Sequence, residues 1–121
     1  MKRHLLWLFA FCTVGVSAKE ELGANDLLHG CEGVLLLADG KKLDAEEMVR
    51  ASRASAYVDG YIDAVLMVHR VRREDPPEAL RQDRPLLDHI RDIATFIREN
   101  PEIRREASAR VAILLSLQRK P

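Results

Sequence analysis

Helical spacing of apolar residues from Asp44 to about Arg72 is the feature that most constrains how this chain can fold. Asp44 and Glu47, three residues apart, resemble a capping box, and the pattern stops before Pro76 and Pro77. It predicts one long helix with two apolar faces, which is typical of a central helix packed on both sides. One face holds Ala51, Ala54, Val58, Tyr61, Val65 and Val68, and the other holds the small residues Ala56, Gly60 and Ala64.

Three further stretches have helical spacing, and none has the sustained alternation of a strand. The first is predicted to begin after Asn25, a good N-cap, and to end at Gly40, although Gly30 and Gly33 weaken it. Its apolar face holds Leu27, Leu28, Cys31, Val34, Leu35 and Ala38.

The two remaining helices follow a charged connection. One carries Leu86, Leu87, Ile90, Ile93, Ala94 and Ile97 on a single face. The last begins at Asn100 and Pro101, an N-cap followed by proline at the first helical position. Its apolar set is Ile103, Ala107, Val111, Leu114 and Leu115. The sequence therefore predicts an all-α fold, a compact bundle of about four helices.

The first 18 residues have the order of a cleavable signal peptide. Lys2 and Arg3 precede an apolar run over residues 5–12, and small residues end at Ala18. A lipoprotein anchored at Cys12 is disfavoured by the bulky Phe11 before it. We predict a signal peptide over 1–18 and a single domain over 19–121, exported and with no further membrane span.

The chain from residue 19 has 17 Lys plus Arg against 19 Asp plus Glu, a net charge of −2. Since it has no basic excess to hold a phosphate backbone, nucleic acid is not expected as a partner. Cys31 is its sole cysteine, so no intramolecular disulfide can form.

Reactive residue types occur without the partners that chemistry needs, so we predict no catalytic residues, no metal site and no cofactor. His29 and Cys31 lie two residues apart and should occupy different helix faces. Asp59 and Asp63, one turn apart, are expected to face water. Cys31 falls in an apolar stripe, where a buried thiol is inert. A solvated face is also expected for Asp88, His89 and Asp92.

Residues 57–64, with Tyr57, Gly60, Asp63 and Ala64, resemble the core of the Rap/Tai immunity proteins. Residues 25–31, ending in Cys31, and residues 96–102 are similar to two further segments of that family. The family commonly carries more cysteines, and Ala54 stands where one is expected. The resemblance assigns structural roles to Cys31, Tyr57, Gly60, Asp63, Ala64 and Pro101.

The resemblance implies a periplasmic, non-enzymatic protein. Proteins of that family neutralise cell-wall amidase toxins of type VI secretion, and here the cognate amidase would be the partner, bound so that its active site is occluded. A homodimer is left open. The alternatives are a periplasmic acid-stress chaperone of the Hde type and an unassigned helical adaptor.

The charged, proline-containing connection over residues 72–84 is the predicted contact surface for that partner. It is the longest non-apolar connection in the chain, and binding residues favour loops held by a rigid scaffold. A mobile solvated loop without a partner is the alternative. The predicted partner-binding residues are Arg72, Arg73, Glu74, Asp75, Arg81 and Asp83.

Cleavage of the predicted signal peptide would determine which residue begins the exported protein. Mass spectrometry of the protein from a periplasmic fraction should find Lys19 as its first residue, because signal peptidase cuts after small residues such as Ala18. An intact Met1 in that fraction, or a lipid-modified Cys12, would show that the segment is not a cleaved signal peptide.

Overall fold

A computed structural model describes residues 21–119, and within that range the chain forms five α-helices and one 3-10 turn. The predicted signal peptide and Cys12 lie outside the described residues. The helices are α1 (Ala24–Ala38), α2 (Ala45–Arg72), α3 (Leu86–Glu99), α4 (Pro101–Glu106) and α5 (Ala109–Gln118), and the 3-10 turn is Glu78–Leu80. Four of the helices are long and the described residues contain no strand, which confirms an all-α fold with about four main helices.

Helix α1 is the centre of the bundle, since it contacts α2, α3, α4 and α5. Leu27, Leu28 and Cys31 are fully buried in it. Three other helices complete most of the core. Helix α2 contributes Val58 and Ile62, α3 contributes Ile90, Ile93 and Ile97, and α5 contributes Ala112, Ile113 and Leu117. In the described part of the chain, no helix combines the length and the apolar character needed to cross a bilayer.

Local signals set the ends of the first two helices. Gly40 follows the end of α1 with φ of 79°, a conformation that glycine adopts without a Cβ penalty. Asp44 and Glu47 form the predicted capping box: Glu47 N–H donates to Asp44 Oδ1 at 2.8 Å, and Asp44 N–H donates to Glu47 Oε1 at 3.2 Å. The predicted N-cap of α1 is wrong by two residues, because Gly23 caps it and the Asn25 side chain instead accepts a hydrogen bond from Arg104.

The close approach between helices occurs at Gly30, not at Gly60. A Cβ atom on Gly30 would lie 2.5 Å from Ala54 Cβ and 2.6 Å from the carbonyl oxygen of Arg50. A Cβ atom on Gly60 would meet nothing within 4 Å, and Ala56 and Ala64 are exposed as well. The prediction of a helix packed on both sides is therefore wrong: α2 buries one face, and the small-residue face lies in solvent.

The predicted last helix is two helices with different buried faces. The backbone is extended at Ala107 and Ser108, and Ser108 then caps α5 by accepting a hydrogen bond from Val111 N–H at 3.3 Å. Backbone bonds to the segment before α1 hold this break: Ala24 N–H donates to Ala107 O at 3.0 Å, and Ala109 N–H donates to Leu22 O at 2.8 Å. The break shifts the helical phase, so the predicted core residues Val111, Leu114 and Leu115 are exposed.

The two glycines give a matched pair of variants with opposite expected effects. Gly60→Ala should raise the free energy of unfolding by about 0.5–1 kcal/mol, because alanine is the better helix former and Gly60 has open space. Gly30→Ala should lower it by about 1–3 kcal/mol, because the added methyl group meets the backbone of Arg50. Urea melts of dilute protein measure both, and equal effects would contradict the α1–α2 contact.

Candidate functional site

The connection between α2 and α3 leaves the bundle through an unusual backbone conformation. Arg73 ends α2 with φ of 55° and ψ of 40°, and among the described residues it is the one non-glycine residue with positive φ. Its N–H donates to Arg70 O at 3.2 Å, and Glu74 N–H donates to His69 O at 2.9 Å. An arginine here is less favourable than a glycine by about 1 kcal/mol, since a Cβ atom crowds the backbone in the left-handed region.

Two contacts anchor the connection to the bundle, and a third closes it on itself. Leu80, in the 3-10 turn, is 8% exposed and belongs to the core. Arg81 Nε donates to Pro76 O at 3.0 Å, which closes the segment on itself. Arg84, at its end, forms an ion pair with Asp92 of α3 at 2.8 Å. The connection thus contacts the bundle at its middle, through Leu80, and at its end, through Arg84.

The six predicted partner-binding residues are all exposed in this segment. None of their side chains takes part in an ion pair within residues 21–119, although six such pairs form elsewhere in that range. Arg81 also has a structural role through Pro76. The surface therefore presents three basic and three acidic side chains on a fixed backbone: Arg72, Arg73, Glu74, Asp75, Arg81 and Asp83.

A second surface, which the sequence did not reveal, is a groove of about 450 Å³ between the start of α1 and the first half of α2. His29, Arg50, Arg53 and Asp26 line it. Arg50 is already paired with Glu46 at 2.8 Å. Asp26 and His29 lie on α1, whereas Arg50 and Arg53 lie on α2, so the packing of the two helices brings these four residues together.

A third surface is an apolar groove of about 430 Å³, bordered by Val34, Leu37, Ala51 and Leu86. It lies where α1 and α2 meet the start of α3. Ser52, Ser55 and Asp59 of α2 form its polar edge. The groove therefore offers an apolar surface with a polar edge formed by α2.

The predicted placements of the reactive residues are confirmed with one exception. His29 is exposed while Cys31 is fully buried, and Asp59 and Asp63 face solvent. His89 was expected on a solvated face but is 7% exposed. Its pKa is lowered by desolvation and by the nearby Arg84 guanidinium. Within the described range no three His, Cys, Asp or Glu side chains are grouped as metal ligands.

Residues of the Rap/Tai-like segments divide between core and surface. Cys31 is buried, Tyr57 is half-buried against the core, and Pro101 begins α4 at its first helical position. Gly60, Asp63 and Ala64 are exposed on α2. Comparison of the chain with known protein families, curated proteins and solved structures finds no match.

The Cys31 thiol should be slow to react in the native protein. Burial raises its pKa to about 12, so the reactive thiolate is scarce at neutral pH and the sulfur is shielded from reagents. In a Cys12→Ser variant, a maleimide should label Cys31 slowly in buffer and quickly in urea.

The same shift predicts a loss of stability in alkaline solution. In the unfolded chain the thiol has the ordinary cysteine pKa of 9.0, whereas the folded thiol stays protonated to about 12. The contribution of the buried, protonated Cys31 thiol to the free energy of unfolding is therefore complete below pH 9. It declines as the pH rises from 9 toward 12. Rapid native labelling, or a Cys31→Ala variant with the same alkaline decline, would contradict this account.

Proposed function

We propose that this protein is a periplasmic immunity-type binding protein that neutralises a cell-wall amidase toxin of type VI secretion by occluding its active site. The observation that carries the proposal is the anchored, exposed segment over residues 72–84, in which six charged side chains form no ion pair with any residue of the described range 21–119. The resemblance of residues 57–64 to the Rap/Tai immunity proteins supplies the class of partner.

Anchoring matters because it reduces the entropy lost on binding. A segment already held by Leu80, Arg81 and Arg84 has few conformations to give up when it enters a cleft. An inhibitor of this kind blocks substrate by shape and by matching charge, and needs no catalytic group. The three basic and three acidic side chains would select a cleft with the complementary arrangement of charge.

Arg73 gives the proposal a second support. An arginine in this left-handed conformation is less stable than a glycine would be at the same position. Residues held in such conformations cluster at functional sites. The conformation turns the chain sharply out of α2 and places Arg72 and Arg73 at the outer end of that helix. In our proposal, the side chain of Arg73 is retained there because it contacts the amidase.

The test replaces Arg72, Arg73, Arg81 and Asp83 together with serine and titrates the protein against papain-like cell-wall amidases, beginning with any encoded beside its own gene. We expect at least a tenfold loss of affinity, because charged anchors at the centre of an interface carry much of the binding energy. A matched control replaces Glu102, Arg105 and Glu106, which are exposed on α4, and should bind as the unmodified protein does.

A single variant separates binding from folding. Arg73→Gly should raise the free energy of unfolding by about 1 kcal/mol while weakening inhibition, because it relieves the backbone and removes the side chain. Inhibition that is unchanged in both the multiple variant and Arg73→Gly, with helicity intact by circular dichroism, would remove this segment from the mechanism. An absence of inhibition by the unmodified protein would reject the amidase as its target.

A further inference from the structure

The groove between the start of α1 and the first half of α2 carries side chains of both charges. We call it the α1–α2 groove and define it by Asp26 and His29 of α1, Arg50 and Arg53 of α2, and the apolar Leu22 and Ala54. Its volume of about 450 Å³ lies within the range of sites that hold small organic ligands. The four polar side chains are all exposed, so a ligand in solvent can reach them.

The close contact at Gly30 explains why this groove exists. A Cβ atom on Gly30 would lie 2.5 Å from Ala54 Cβ, so the two helices come very close there. Ala54 is 2% exposed and also borders the groove, which places it at the bottom. His29 precedes Gly30 and Arg53 precedes Ala54, so each of these side chains leaves its helix beside the contact and forms part of a wall.

The polar groups of the groove have donors and acceptors to spare for a ligand. Asp26, His29 and Arg53 form no side-chain hydrogen bond or ion pair with any residue from 21 to 119. Arg50 uses one amino group, since its Nη2 donates to Glu46 Oε1 at 2.8 Å. A guanidinium has several N–H donors, so both arginines keep donors that can bind a ligand.

We propose that the α1–α2 groove binds a short peptide by its two charged ends. The carboxylate of the peptide lies on Arg50 and Arg53, its ammonium group lies on Asp26, and its small side chains contact Leu22 and Ala54. No residue of the charged segment after α2 takes part. The proposal therefore goes beyond the binding of an amidase and does not depend on it.

The arginine wall suits a carboxylate. Arg50 and Arg53 lie three residues apart, which places them side by side on α2. A planar guanidinium can donate two parallel hydrogen bonds to one carboxylate. His29, on the opposite wall, has a ring N–H that can donate to the same group. The carboxyl end of the peptide is therefore held from both helices.

A ligand of mixed charge fits the groove better than a simple ion. A bare anion would be attracted by Arg53 but repelled by Asp26. A bare cation would find one carboxylate among the described residues that line the groove. Arg104 lies close by and would repel it, since its Nε donates to Asn25 Oδ1 at 2.7 Å. A peptide gains from charges of both signs.

The separation of the charges favours a peptide over a free amino acid. Asp26 and Arg53 do not form an ion pair with each other, so the ligand groups that they bind have to be separated as well. In a free α-amino acid a single carbon atom joins the two charged groups. In a dipeptide a whole peptide unit lies between them and can cross the groove.

Peptide titration followed by NMR tests the site. Alanylalanine, added to the isotope-labelled protein up to about 50 mM, should shift backbone amide signals at the start of α1 and in the first half of α2. We expect a Kd on the order of 1 mM, because an open groove buries little of a small ligand. N-acetyl-alanylalanine lacks the ammonium group and alanylalanine amide lacks the carboxylate, so each should bind about tenfold more weakly.

Matched variants assign each end of the peptide. Arg53→Gln and Asp26→Asn should each raise the Kd of alanylalanine about tenfold. Asp26→Asn should not weaken the acetylated peptide further, and Arg53→Gln should not weaken the amide further, because the group that each residue binds is already missing. Arg70→Gln, on the same helix about 25 Å from Arg53, is the control and should leave Kd unchanged. These side chains are exposed, so circular dichroism should show an intact fold.

Several results would overturn the proposal. An absence of shifts up to about 50 mM shows that the groove does not bind the peptide. Shifts confined to other helices place the binding elsewhere. Capped peptides that bind as well as alanylalanine, or free alanine or phosphate that binds more tightly, show that the groove does not recognise the two ends of a peptide. Arg53→Gln and Arg70→Gln with equal effects would show that the general charge of α2, and not Arg53, holds the carboxylate.

Discussion

The contact between Gly30 of α1 and Ala54 of α2 is the constraint on which the arrangement of the bundle depends. The absence of a side chain at Gly30 lets the backbone of Arg50 come close, and Gly33 continues the contact against Ala51. A glycine inside a helix lowers helix stability by about 1 kcal/mol, which the close packing of the two helices offsets. The approach leaves Leu27, Leu28 and Cys31 facing the core shared with α3 and α5.

The same contact determines which parts of α2 remain free. Helix α2 has 28 residues and α1 has 15, so α2 extends well beyond its main partner. Its fully buried face ends at Ile62, and the half-buried Val65 and Leu66 make the last contacts with the core. Met67, Val71 and the charged segment that follows therefore lie beyond the part of α2 that packs against the core.

Helix ends could be predicted from the sequence where they depend on neighbouring residues, as with the capping box of Asp44 and the positive φ of Gly40. Faces could be predicted where apolar spacing is unambiguous, as in α3. The error at Gly60 has a physical origin, because small residues suit a close contact and an exposed face equally well. The break at Ala107 is set by hydrogen bonds to the residues before α1, which no local pattern encodes.

The burial of His89 and the anchoring of the charged segment both depend on contacts that no local sequence pattern encodes. The burial of His89 depends on how α3 packs and on the connection that ends at Arg84, which in turn pairs with Asp92. The exposure of the six charged residues could be predicted from their composition, but the anchoring by Leu80 could not, because one leucine in a charged stretch has no periodicity. That anchor determines where the run of charges lies on the bundle, and a segment that is already held in place loses less conformational entropy when it binds a partner.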